Sequence, residues 1–127
     1  VASANRPSGK LVSSLSVDRT EVTMQFLVDD ERIGHLILEV AQVEGLIHQM
    51  AFLRSAMADP VPADLVPGTK ALAVENPTWT TRVQSAPTGP GIVLALRHPG
   101  LGWLVHFLPP ETARSLARSL SGLSQRL

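Results

Sequence analysis

Cysteine and tyrosine are both absent from this 127-residue chain, and three Phe and two Trp are its only aromatic side chains besides His. Without thiols there is no disulfide, no thiolate metal site and no cysteine nucleophile, which suits a reducing compartment. Net charge is missing too: 11 Lys and Arg balance 11 Asp and Glu. No broad basic field therefore exists to displace counterions from a nucleic-acid backbone. Long apolar runs are also lacking. The longest, such as Leu101–Leu108, have strand length and are interrupted by His106, far short of the ~20 residues that cross a bilayer. The first twenty residues mix Ser, Asn, Arg, Pro and Lys with no continuous apolar centre, so no secretory signal is expected. Together these absences predict a cytoplasmic protein that partners neither nucleic acid nor membrane.

Motifs that carry chemistry are equally scarce. The four histidines, His35, His48, His98 and His106, fall in no H-x-x-x-H or H-E-x-x-H spacing, so none is expected to hold a metal. Serine is plentiful, yet no G-x-S-x-G elbow occurs. Gly89-Pro90-Gly91 lacks the lysine and hydroxyl of a phosphate loop, and its proline removes an N–H that such a cradle would use. No cofactor and no catalytic residue is expected, and the balance weighs against an enzyme.

What the chain does have is apolar residues in regular order. They make up 44% of the sequence against 17% charged, well away from disordered compositions. The length suits one domain burying roughly two thirds of its unfolded surface, and the reading is a flexible arm over 1–9 followed by a single α+β domain over 10–127. Lys10–Val17 reads as a first strand. Val22, Met24, Phe26 and Val28 alternate with polar neighbours, and Ile33–Val40 follows a short polar turn as the antiparallel partner. Val43, Leu46, Met50, Leu53 and Met57 then recur at helical spacing until Asp59-Pro60.

The same hairpin-then-helix pattern returns over Ile92–Leu127. A shift of 68 residues carries Met24, Phe26, Leu36 and Val40 onto Ile92, Leu94, Leu104 and Leu108, and a shift of 70 carries the helical stripe onto Ala113, Leu116, Leu120, Leu123 and Leu127. Lys70–Glu75 and Thr78–Ser85 read as a strand pair between the repeats, and Ser85–Gly91 as a loop. The expected architecture is an antiparallel sheet built from ββα pseudo-repeats 22–57 and 92–127 plus that central strand pair, with both helices packed on one face.

If Val28 faces Ile33 across the first turn, Leu36, Leu38 and Val40, with Leu104 and Leu108 in the second repeat, lie on the face opposite the helices. These five are the candidate interface residues, because an uncovered apolar face usually marks a contact with another chain. Charge is also unevenly spread: residues 20–68 carry net −6 and residues 69–127 net +4, which suits packing of the two repeats on each other or head-to-tail contact between copies. The leading expectation is a non-enzymatic interaction or assembly module, homodimeric through an apolar sheet face, with a further protein partner allowed. The alternative is a small-molecule-binding domain or unfamiliar enzyme, its pocket walled by Trp103, His35, Arg82 and Arg97.

Overall fold

The computed structural model describes residues 8–127. Their strands form two three-stranded antiparallel sheets and, with two α-helices, give a mixed α+β fold. The chain divides into two compact units, Val1–Leu65 and Val66–Leu127.

The first unit runs β1 (Gly9–Leu15), β2 (Glu21–Val28), β3 (Glu31–Glu39) and α1 (Val40–Ala56), its strands ordered β1-β2-β3. The β1–β2 turn is tied by short polar side chains. Ser16 Oγ donates to Asp18 Oδ1 at 2.7 Å and accepts the N–H of Thr20 and Glu21, while Thr20 Oγ1 also donates to Asp18 at 2.8 Å. The bonds from Ser16, then those from Thr20, favour the ionised form and hold the Asp18 carboxyl below the usual carboxylate range.

Between β2 and β3 the turn is only two residues long, because Val28 pairs with Glu31. Asp29 and Asp30 both take positive φ, +50° and +64°, the signature of a type I′ turn whose twist matches the flanking strands. Aspartate tolerates this left-handed region less well than glycine. Asp30→Gly, giving the favoured Asp-Gly pair, should therefore stabilise the protein by up to about 1 kcal/mol, read as a raised midpoint in urea unfolding. Helix α1 begins where Gln42 Oε1 accepts the backbone N–H of Glu39 at 3.0 Å, one arm of a capping box. It ends as Met57 turns extended, before Asp59-Pro60.

The second unit runs β4 (Trp79–Ala86), β5 (Gly89–His98), β6 (Gly102–Leu108) and α2 (Pro110–Ser124), with strand order β4-β5-β6. Pro110 opens α2, where a missing N–H costs nothing. The β5–β6 connection is held by His98, whose Nδ1 accepts the N–H of both Gly100 and Leu101 at 3.0 Å. Gly102, at φ +81°, supplies the left-handed residue that closes this turn. Val93 and Ala95 on β5, 5% and 6% exposed, are the only buried hydrophobic side chains among the described residues.

Several expectations need correction. The strands divide between two sheets rather than joining one. Lys70–Glu75 is not a strand; Trp79–Ala86 pairs with β5 through a two-residue turn at Pro87-Thr88, so most of the expected loop over Ser85–Gly91 is ladder. Val40 is the first residue of α1 and not the end of a strand. The expected arm over 1–9 lies outside the described residues up to residue 7, while Gly9 already pairs with Val28.

The two units share the order β-β-β-α, but the hairpin registers differ. Met24 pairs with Leu36, whereas Ile92, aligned with Met24, pairs with Leu108 and not with Leu104. The cause lies in the turns: two residues plus a register shift at Phe26/Leu27 in the first hairpin, three residues in the second.

Candidate functional site

Register decides which side chains meet. In the first sheet the register shift at Phe26/Leu27, following the two-residue turn, places Leu36 opposite Met24 and Leu38 opposite Val22, so Leu36 and Leu38 share the face of Val22, Met24 and Phe26. That is the reverse of the expectation built on Val28 facing Ile33, because a one-residue slip flips every side chain of a strand. The other face carries Thr23, Gln25, His35 and Glu39 with Ile37, and is largely polar. Strand β3 itself is apolar on both faces, with Ile33 and Ile37 on this side and Leu36 and Leu38 on the other.

In the second sheet, Leu108 pairs with Ile92 and Leu104 with Leu96. Ile92, Leu94 and Leu96 from β5, Leu108 from β6, and Leu116 and Leu120 from α2 line one open apolar groove of about 770 Å³. Leu104, four pairs along from Leu108, shares that face. Leu104 and Leu108 therefore point to the helix side, not away from it. The groove is incompletely filled: Leu116, Leu120 and Leu123 on α2 and Trp79 and Val83 on β4 all remain exposed.

The opposite face of the second sheet brings together part of the expected ligand pocket. Arg82 and Trp103 line one shallow depression of about 240 Å³ with Thr80, Val93, Ala95 and Val105. Arg97 sits directly across from Trp103 in the ladder. His35 belongs to the first unit, on the polar face opposite Gln25.

Sequence reasoning missed the character of β6. Its residues Trp103, Val105 and Phe107 face one side and Leu104 and Leu108 the other. It is apolar on both faces, like a strand buried in the middle of a sheet, yet it is an edge strand here. The run of apolar residues was visible in the sequence, but edge placement is not written in it.

Among the described residues no group of three or more His, Asp or Glu could hold a metal ion, and no helix is long and apolar enough to cross a membrane. Comparison with protein-family models, with curated proteins and with solved structures finds no match.

Proposed function

We propose that this chain is a non-enzymatic assembly module that works as a homodimer, covering the apolar surface of its second unit with a second copy of itself. The observation that carries this reading is the scarcity of buried apolar side chains, two among the described residues, beside a continuous exposed set on β6 and α2. Water-exposed apolar area costs roughly 25 cal/mol per Å² relative to burial. Two-fold closure is the commonest way for a soluble chain to cover such a surface. The common β-β-β-α order of the units supports their reading as a duplicated element that has since diverged in hairpin register.

The two tryptophans test this directly. On one chain Trp79 and Trp103 are 63% and 50% exposed; in the dimer Trp103, on β6, is shielded, while Trp79, on β4, contributes a constant background. Tryptophan emission should lie to the blue at high concentration and move to the red on dilution through the dissociation constant. Leu104→Asp, which sets a carboxylate on the apolar face, should emit to the red at all concentrations while keeping its far-ultraviolet dichroism. Emission of a water-exposed indole, unchanged over the dilution series, would remove the dimer.

A second reading, a small-molecule-binding domain, draws on the meeting of Arg82 and Trp103 in one depression. That depression is smaller than the ~300–1,000 Å³ of most ligand sites. Native mass spectrometry of the purified protein, with an added mass on the chain that Trp103→Ala abolishes, would favour this second reading.

A further inference from the structure

The four edge strands of the two sheets are unequal. Strand β1 carries Lys10, β3 carries Glu31, Arg32 and Glu39 with a register shift opposite it, and β4 carries Arg82. Charges and bulges of this kind keep an edge from pairing with another chain. Strand β6, Gly102–Leu108, has no Lys, Arg, Asp, Glu or Pro. It is also apolar on both faces, a pattern that belongs to strands with neighbours on both sides, and yet only β5 lies beside it.

We infer that β6 pairs antiparallel with β6 of a second copy, joining two three-stranded sheets into one six-stranded sheet across the two-fold axis. This rests on the homodimeric reading above and names the element that closes the dimer. The occupant is a second copy because an isologous contact sets a strand against itself. Any charged residue near the axis would then meet its own like charge, and β6 is the edge that carries none.

The register follows from maximal overlap. Pairing all seven residues centres the axis on Val105, which is 62% exposed on the single chain. Trp103 then lies opposite Phe107 of the partner subunit, and this aromatic pair occurs twice on one face. Leu104 lies opposite His106 of the partner subunit on the other. Cross-strand aromatic pairs are among the favourable ones.

Val105 and Thr80 allow a clean test, since both pair with Ala95, from opposite edges of the same sheet face. Val105→Lys sets two ammonium groups against each other at the axis; Thr80→Lys adds the same charge to the same face at the far edge. By light scattering on the full chain, Val105→Lys should weaken dimerisation by about tenfold or more, and Thr80→Lys should leave it unchanged. Equal loss in both variants would assign the contact to the sheet face and overturn edge pairing. Retention of the dimer by Val105→Lys would overturn it as well, while leaving self-assembly standing. A monomeric wild type would remove both inferences.

Should Val105→Lys fail to fold, the absence of native cysteine makes Val105→Cys the sole thiol in its chain. Under oxidation it should form a disulfide-linked dimer on non-reducing gels, and Thr80→Cys should not. No cross-link at position 105 in a protein that remains dimeric would overturn the strand pairing alone.

Discussion

Leu120→Ala is expected to destabilise the assembled protein by about 2–5 kcal/mol, the range for removing a large side chain from a packed core. The size of this effect is informative because Leu120 is 60% exposed on the single chain. It lines the groove between α2 and the second sheet, where a partner-free chain would leave much of it in water. If the groove stayed open, truncation would remove a side chain that had gained little by folding, and the loss would stay below about 1 kcal/mol. Only a groove covered by the partner, on the β4 side and in addition to the β6 edge contact, returns the larger value. Urea unfolding, followed at two protein concentrations, measures it. The midpoint of both wild type and variant should rise with concentration, because association stabilises the folded state by mass action.

Gly91→Ala should destabilise the second unit by about 2–3 kcal/mol, independently of assembly. A Cβ at position 91 would stand 2.5 Å from Phe107 Cζ and 2.6 Å from the Leu108 carbonyl oxygen. The ring can rotate aside, but the carbonyl belongs to the β5–β6 ladder, so relief requires strand β5 or β6 to shift. Gly89→Ala offers a contrast, since its cost is conformational: φ is +121° with open space around the added carbon. Thermal unfolding should therefore show a lowered Tm for both, and only Gly91→Ala should disturb the packing of Phe107, visible in the aromatic proton resonances.

The elements of this chain were largely legible in its residues, and their pairing was not. Alternation at Val22, Met24, Phe26 and Val28 marked β2, and the Val43 to Leu53 spacing marked α1, although no side chain of α1 is buried. Strand register depends instead on turn type, and Asp29-Asp30 gave no glycine to signal that both residues take positive φ. Reading the polar run Asp29–Arg32 as the whole turn displaced the register by two residues, which preserves the faces, and the register shift at Phe26/Leu27 then turned Leu36 and Leu38 to the other face.

The second hairpin misled in a different way. Pro99-Gly100 marked the turn correctly, while the residue with positive φ is Gly102. Lys70–Glu75 looked like a strand because Leu72 and Val74 alternate, but no neighbouring strand offers it a ladder. For the candidate site, sequence identified an excess of apolar surface and grouped Trp103 with His35, Arg82 and Arg97, of which His35 lies in the other unit's sheet. It placed that excess on central strands, whereas β6 is at an edge. Edge or centre is a property of the whole sheet, which no single strand encodes.

Sedimentation equilibrium on the native full chain bears most directly on whether a second copy covers this surface. At micromolar concentration, self-assembly predicts a folded species of twice the 13.6 kDa chain mass. A folded, cooperatively melting species of 13.6 kDa at the same concentration would contradict it.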